Sequence, residues 1–159
     1  MYYWITPSPV GDILMTADDI GLTALAFQSG NAAIEVDQTY QKDESKFKEA
    51  IKQLEEYFSG LRTDFNLPLN PVGTAFQKSV WQMLCKIPFG ESKSYQWLAN
   101  ELNNPKAVRA VGSANGRNPI ALIVPCHRVI GSNKKLTGYA GGLELKAKLL
   151  THEGIEFSR

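Results

Sequence analysis

Residues 94–116, SYQWLANELNNPKAVRAVGSANG, contain two short amphipathic segments joined by a tight break. In the first segment Tyr95, Leu98 and Leu102 lie at helical spacing, and Asn-Asn-Pro at 103–105 ends the pattern. Pro105 is suited to begin a second helix, KAVRAVGSANG, because proline is tolerated in the first turn. Two short helices with so tight a connection predict a helix-turn-helix, although many helical hairpins with this pattern bind nothing.

The second of these helices has a polar and an apolar side. Helical spacing places Lys106, Arg109 and Ser113 on the outward side. It places Val108, Val111 and Ala114 nearer the core. Gly112 and Gly116 each cost about 1 kcal/mol relative to alanine in a helix, but glycine also lets another surface come close. A solvated helix face would account for Arg109 without any ligand.

The N-terminal residues predict a small sheet followed by one helix. Three short runs are separated by turn residues and predict an antiparallel meander: YYWIT at 2–6, DILMTA at 12–17 and LTALAFQ at 22–28. Residues 44–59 have apolar side chains at helical spacing, and Gly60 ends that helix. The two prolines of DFNLPLNPVG, residues 64–73, indicate an extended linker.

The C-terminal residues are mainly helical apart from a glycine-rich loop. Thr74 can cap a helix over 75–87, and LELKAKLLTHEG at 143–154 predicts a closing helix with Leu143, Ala147 and Leu150 inward. The fold class is therefore α/β. We expect an N-terminal domain with an antiparallel sheet and a helix over 1–72, and a mainly helical domain with a winged-helix-like helix-turn-helix over 73–159.

Composition excludes several classes of protein. With 43% hydrophobic and 21% charged residues, the chain is typical of a globular protein. No apolar run approaches the roughly 20 residues of a membrane span, and MYYWITPSPVGD does not have the pattern of a secretory signal. The two cysteines predict free thiols in a reducing cytoplasm, and the Cys and His spacings match no zinc motif. We expect neither metal nor cofactor.

Charge is unevenly distributed along the chain. Residues 1–72 hold 5 Lys and Arg against 11 Asp and Glu, whereas residues 73–159 hold 12 against 5. A basic half joined to an acidic half indicates that the basic half meets a polyanion. An uneven distribution of surface charges without any ligand would explain the same residue counts.

The segment at 123–131, IVPCHRVIG, places Cys126, His127 and Arg128 between two apolar pairs. Pro125 suggests a bend where an apolar strand leaves the core. A lone cysteine is usually a small hydrophobic core residue, which is the interpretation of Cys85. Beside a histidine and an arginine, Cys126 could instead have the lowered pKa that a nucleophilic thiolate requires. His127 would then need an acceptor to orient it, and Glu153 is a candidate.

Several blocks of the C-terminal sequence, in order, resemble the O6-alkylguanine-DNA alkyltransferases. They are TAFQKSVWQMLCKIPFGESKSYQWLANEL, NPKAVRAVGSANGRNPIALIVPCHRVIG and LTGYAGGLELKAKLLTHEG. Together they cover nearly all of residues 74–154, and the N-terminal residues are only loosely similar. PCHR combined with RAVG, NP, GYAGG and HEG at these intervals is a specific pattern.

The resemblance implies a DNA repair protein that binds alkylated double-stranded DNA, rotates an O6-alkylguanine out of the stack and moves the alkyl group to its own cysteine, once per molecule. Cys126 would be the acceptor, and His127 would act as a base through a water, held by Glu153. Tyr95 would donate a proton or hydrogen bond to the guanine, although the same tyrosine fits a core position. Asn118 would tie the turn before the active-site strand.

The resemblance also implies a DNA-binding face and a pocket. Arg109 would fill the space of the flipped base, while the small residues Ala107, Ala110 and Ser113 would let the helix approach the minor groove. We also expect Lys106 and Arg128 to contact DNA. The predicted substrate pocket consists of Tyr95, Pro125, Gly138, Tyr139 and Ala140.

This sequence departs from its relatives at the pocket rim. Lys134 and Lys135 make the loop more basic, which would strengthen phosphate contact or reshape the rim, and Ala140 stands where some relatives have serine. O4-alkylthymine activity and tolerance of bulky alkyl groups stay open.

Three other functions compete with this prediction. An alkyltransferase-like lesion sensor would lack the cysteine, and a winged-helix regulator would not need Cys126, His127 and Glu153 together. A cysteine hydrolase would turn over and would need an oxyanion site. We expect a monomeric protein that does not bind membranes.

Overall fold

A computed structural model describes residues 1–29 and 35–159. The N-terminal half forms a four-stranded sheet in the order β3-β2-β1-β4. The strands are β1 (Tyr2–Thr6), β2 (Ile13–Ala17), β3 (Leu22–Phe27) and β4 (Gln41–Lys42). The antiparallel pairing of β1 with β2 and of β2 with β3 confirms the meander. The two-residue β4, which pairs parallel to β1, was not predicted because so short a strand leaves no periodic pattern.

The predicted linker continues this sheet instead of leaving it. The Leu22 N–H donates to the Pro68 carbonyl over 2.9 Å, and the Asn70 N–H donates to the Leu22 carbonyl over 2.7 Å. A Cβ on Gly21 would lie 2.5 Å from the Pro68 carbonyl oxygen, so this close approach requires glycine.

Two helices flank this linker in the chain. A short 3-10 turn at Glu44–Lys46 precedes α1 (Lys48–Phe58), so the helix predicted over 44–59 is interrupted at Phe47. Helix α2 covers Ala75–Leu84 and ends before the predicted residue 87. Thr74 caps α2 as predicted, in a reciprocal capping box with Gln77.

The helix-turn-helix is formed by α3 (Tyr95–Glu101) and α4 (Val108–Gly116). Pro105 does not begin α4, which starts three residues later, because a turn with positive φ at Asn103 comes first. The Trp81 indole of α2 donates to the Ala114 carbonyl of α4 over 2.8 Å. Val111 and Ala114 are buried, whereas Lys106, Arg109, Ala110 and Ser113 are exposed and Ala107 is half-buried. This burial confirms the predicted orientation of α4.

The final helix, α5 (Leu143–His152), is turned differently from the prediction. Leu143 is 47% exposed, and Lys146 is completely buried. Ala147 and Leu150 are buried as expected. The inward side of α5 therefore carries a charged residue, and it faces the segment around Cys126.

One hydrophobic core cluster contains residues of both halves, including Phe27, Tyr57, Trp81 and Cys126. Strand β3 connects the two halves directly through two backbone hydrogen bonds. The Leu25 N–H donates to the Pro119 carbonyl over 2.9 Å, and the Ala121 N–H donates to the Leu25 carbonyl over 3.1 Å. The edge of the N-terminal sheet thus holds the segment that leads to Cys126. Within the described ranges, no helix is long and apolar enough to cross a membrane.

Candidate active site

Cys126 lies on a short 3-10 turn, Cys126–Arg128, and is 6% exposed. The residues before it form turns and a single bridge to β3 instead of the predicted strand. The four flanking apolar residues are buried and fix the bend, as predicted: Ile123, Val124, Val129 and Ile130. After the cysteine, the Ile130 N–H donates to the Lys93 carbonyl over 3.0 Å. The sulfur is thus held by backbone contacts on both sides.

Asn118 closes the turn that leads to this cysteine. Its side-chain Nδ2 donates to the Val124 carbonyl over 2.8 Å, and its Oδ1 accepts from the Ile120 N–H over 3.0 Å. These contacts are those expected of a residue that ties the turn. Asn118 also favours the charged form of the Cys126 thiol and so opposes the rise in its pKa.

The thiol of Cys126 is protonated in this resting structure. Burial raises the pKa of Cys126, and the opposing effects of Asn118 and of the positive charge on Lys146 do not overcome it. The expected lowering of this pKa by its sequence neighbours is therefore wrong for the resting protein. The nearby positive charge comes from α5, where the sequence analysis did not look for it.

His127 and Glu153 are in contact, as the sequence analysis expected. His127 Nε2 lies 2.8 Å from Glu153 Oε2, and both side chains are fully buried. Burial lowers the pKa of His127 below its usual value, although Glu153 acts in the opposite direction. The imidazole is therefore neutral. Because Nε2 faces a carboxylate it carries the hydrogen, which leaves Nδ1 as the basic nitrogen.

Nδ1 of His127 is buried and has no hydrogen-bond partner among the described residues. A buried unpaired acceptor is unfavourable, and such atoms are common where a ligand or a reacting proton is bound. The arrangement leaves a base with its lone pair free, one residue after a thiol.

Glu153 is held ionised by four hydrogen bonds. Tyr57 Oη donates over 2.6 Å and His127 Nε2 over 2.8 Å, while Arg128 Nε and Nη2 donate over 2.7 and 3.1 Å. Burial alone would raise the pKa of Glu153, but the bonds from His127 and Arg128 outweigh it and lower the pKa to about 2. Glu153 can therefore fix the histidine tautomer at every physiological pH.

Arg128 does not form part of a DNA-facing surface, so its predicted role is wrong. It is 6% exposed, and beyond Glu153 it donates through Nη1 to the Ile87 carbonyl over 2.7 Å. A buried carboxylate requires a compensating cation, and Arg128 supplies it. The sequence could not separate this use of an arginine from contact with phosphate.

A cavity of about 230 Å³ lies beside Cys126. Gly138, Tyr139 and Ala140 line it as predicted, together with Asn115 and Gly116 at the end of α4. Tyr95 and Pro125 are not among the described residues that line it, and Pro125 is buried. The opposite wall is formed by residues of β3 that the prediction missed: Ala24, Leu25, Ala26 and Phe27.

Tyr95, the first residue of α3, faces Gly112 of α4. Its ring is the nearest group that a Cβ on Gly112 would meet, at 3.8 Å, and its hydroxyl lies 2.6 Å from Thr137 Oγ1. Burial raises the pKa of Tyr95, against the effect of the Thr137 contact, so the phenol keeps its proton. A charge on Cys126 would raise the pKa of Tyr95 further.

Cys85 is exposed at the end of α2, so its interpretation as a core residue is wrong. Its backbone is still helical, and helical spacing puts it on the outer face of α2 together with Lys78 and Gln82. The chain therefore has one exposed and one buried thiol, and only the buried one adjoins the histidine and the carboxylate.

Comparison with known proteins agrees with this geometry. Residues 1–71 match the family model "6-O-methylguanine DNA methyltransferase, ribonuclease-like domain", and residues 75–155 match the corresponding "DNA binding domain". The fold and site are those of a DNA alkyltransferase-type protein with a buried cysteine. The chain belongs to the 6-O-methylguanine DNA methyltransferase family.

Two relatives and one solved structure illustrate the likeness. The methylated-DNA–protein-cysteine methyltransferase of Methanosarcina acetivorans is 54% identical over 97% of this chain and 99% of its own length. The constitutive enzyme of Bacillus subtilis is 47% identical over 98% of this chain and 97% of its own. A crystal structure of Mycobacterium tuberculosis OGT in complex with DNA superposes with a TM-score of 0.89 at 42% identity, covering 97% and 93% of the two chains.

Proposed function

We propose that this protein repairs DNA by transferring an alkyl group from O6-alkylguanine in duplex DNA to Sγ of its own Cys126, once per molecule. The observation that carries the proposal is the position of Cys126. Its thiol adjoins a cavity that reaches the end of the helix-turn-helix, and the next residue in the chain is His127, which pairs with Glu153. The names of the relatives describe the same class of reaction.

The chemistry balances with the groups present. The thiol gives its proton to Nδ1 of His127 through a bridging water, and Glu153 stabilises the imidazolium that forms. The Cys126 sulfur then attacks the alkyl carbon, so that an S–C bond forms while the bond from that carbon to O6 breaks. The electron pair passes to the guanine, which leaves neutral by taking up one proton, so that the proton released from Cys126 and held on His127 balances the charge overall. Tyr95 donates to the ring as this charge develops.

A thiol that stays protonated in the resting protein suits a protein whose cysteine can react only once. The thiolate is the reactive form of cysteine. Because burial keeps Cys126 protonated, the resting sulfur is protected from other electrophiles. The nucleophile forms only when His127 accepts the proton in the loaded site.

Helix α4 supplies the surface that extrudes the base. Arg109, Ala110 and Ser113 are all exposed on its outer side. The small residues let the helix lie close to the minor groove, and the long Arg109 side chain fills the gap in the stack. Flipping a base costs a few kcal/mol of stacking, which such a side chain partly offsets. Lys106 adds a positive charge at the start of the same surface.

Arg109→Ala is expected to slow single-turnover transfer from duplex DNA at least about tenfold, because the extruded base loses the group that fills its place. Transfer from the free base O6-methylguanine needs no extrusion and should keep its rate. Arg62→Ala removes the same side chain from the N-terminal half, where it pairs with Glu56 over 3.0 Å, and serves as the matched control. Equal slowing of Arg109→Ala on both substrates would contradict the wedge role.

The remaining features are consistent with this function. We propose a monomer acting in the cytoplasm, with a domain boundary near residues 72 and 73 where no helix or strand is present. Lys134 forms an exposed pair with Glu156 over 3.6 Å, which leaves Lys135 as the exposed charge of that loop for phosphate. The β3 residues on the cavity wall give the N-terminal half a direct part in the pocket.

A further inference from the structure

Lys146 is a buried charged residue that the proposed reaction does not use. Its side chain is completely buried on the inner side of α5. Nζ donates to the Val129 carbonyl over 2.8 Å, to Thr137 Oγ1 over 3.1 Å and to the Thr137 carbonyl over 3.4 Å. Burial lowers the pKa of Lys146 to about 8, so the ammonium form still predominates at neutral pH. A buried lysine with only neutral partners is unfavourable and requires a reason.

Thr137 connects this ammonium group to Tyr95. Its Oγ1 lies 3.1 Å from Lys146 Nζ and 2.6 Å from Tyr95 Oη. An ammonium group can only donate, so Thr137 Oγ1 accepts from Lys146. The 2.6 Å contact between the two hydroxyls allows either to donate; in one of these two arrangements the threonine hydroxyl donates its single hydrogen to Tyr95 Oη. In that arrangement the hydrogen of Tyr95 itself is left for a different acceptor.

We propose that Lys146 and Thr137 are positioning residues that fix the direction of the Tyr95 hydroxyl, so that its hydrogen is held ready for the departing guanine. This inference rests on the proposed function, in which Tyr95 donates to that base. The order of donation runs from Lys146 to Thr137, from Thr137 to Tyr95, and from Tyr95 to the substrate. Without Lys146, the threonine hydroxyl could accept from the phenol, and the Tyr95 hydrogen would turn toward Thr137 instead.

The same residues also have a structural role from which this one must be separated. Thr137 immediately precedes Gly138, Tyr139 and Ala140 of the cavity wall, and Lys146 ties the Thr137 carbonyl to the segment after Cys126. A change that merely loosened this loop would also slow transfer. The threonine hydroxyl, unlike its backbone carbonyl, can be removed by substitution, which allows a specific test.

The test compares Thr137→Val, which keeps the shape and removes the hydroxyl, with Thr137→Ser, which keeps the hydroxyl. The readout is the single-turnover rate of methyl transfer from an O6-methylguanine duplex at saturating protein. We expect Thr137→Val to slow transfer about tenfold, the size of one hydrogen bond to a charged or polarised group. Thr137→Ser should stay close to wild type. Tyr95→Phe should slow transfer as well, and adding Thr137→Val to it should cause no further loss.

Three results would overturn the positioning role. They are a Thr137→Val effect that is equally large in the Tyr95→Phe background, a Tyr95→Phe variant with the wild-type rate, and a Thr137→Ser variant as slow as Thr137→Val. The wild-type reaction separates a failure of the proposed function from a failure of the positioning role. If wild type transfers no methyl group, the proposed function itself fails. If wild type transfers and the two substitutions act independently, only the positioning role fails.

Discussion

Cys126→Ala is expected to abolish methyl transfer while duplex DNA is still bound. Among the described residues that line the cavity, Cys126 alone carries a thiol, whereas the exposed side chains of α4 that would contact DNA lie elsewhere and are unchanged. Alanine is also small enough to be tolerated at this buried position. Transfer is measured by loss of a labelled methyl group from the duplex, and binding by a shift in DNA mobility.

Cys85→Ala is the matched control for this experiment. It removes the other thiol of the chain, which is exposed at the end of α2. This variant should transfer at the wild-type rate. Residual transfer in Cys126→Ala, or a loss of transfer in Cys85→Ala, would show that the wrong sulfur has been assigned.

Glu153→Gln is expected to destabilise the fold and to slow transfer. The substitution leaves Arg128 buried without its anion and replaces a pure acceptor by a group that also donates, so Tyr57, His127 and Arg128 cannot all be satisfied. Breaking a buried ion pair typically costs about 3–5 kcal/mol. Chemical denaturation at neutral pH measures this loss. The rate should fall because the imidazolium at His127 loses its stabilising charge.

The effect of Glu153 has a definite direction with pH. Its folded pKa of about 2 lies below the ordinary carboxyl value of 4.5, so its contribution to stability is fully present above pH 4.5. That contribution is lost as pH falls from 4.5 toward 2. Glu153→Gln should therefore reduce the acid dependence of the unfolding free energy over this range.

Glu156→Gln is the control, because Glu156 is an exposed carboxylate whose partner is Lys134. Exposed pairs contribute about 0–1 kcal/mol, so this variant should unfold close to wild type. Equal stabilities of Glu153→Gln and Glu156→Gln would contradict the account of the buried cluster.

Much of this architecture could be predicted from local pattern. The meander, the capping of α2 by Thr74 and the outward face of α4 each depend on side-chain periodicity or a cap within a few residues. The contact between His127 and Glu153 was also anticipated, through the resemblance and the need of a histidine for an acceptor. The resemblance likewise predicted that Asn118 ties the turn before Cys126.

The remaining features depend on distant contacts that a one-dimensional pattern does not contain. Arg128 looked like a DNA contact because its partner Glu153 lies 25 positions away. Cys85 looked buried because its neighbours in the sequence, Met83, Leu84 and Ile87, are apolar. In both cases the neighbours in the sequence did not indicate where the side chain lies in the fold.

Two residues of the site, Lys146 and Tyr57, were missed, and only Lys146 had a signal in the sequence. Lys146 is spaced seven residues before Glu153 and three before Leu149, so helical periodicity places it on the buried side of α5. Only Leu143, Ala147 and Leu150 were predicted to lie inward, and Lys146 was given no position; lysine is seldom buried. Tyr57 was placed correctly on the inner side of α1, but its bond to Glu153 spans 96 positions and could not be foreseen.

The central claim is that one alkyl group moves irreversibly to one sulfur. The most direct test is mass spectrometry of the protein after mixing with excess O6-methylguanine duplex, followed by digestion. We predict that one hydrogen is replaced by one methyl group on the peptide that contains Cys126, and that no more than one lesion is repaired per protein molecule. Methylation at Cys85, an unmodified Cys126 peptide after repair, or more lesions repaired than molecules present would contradict the account.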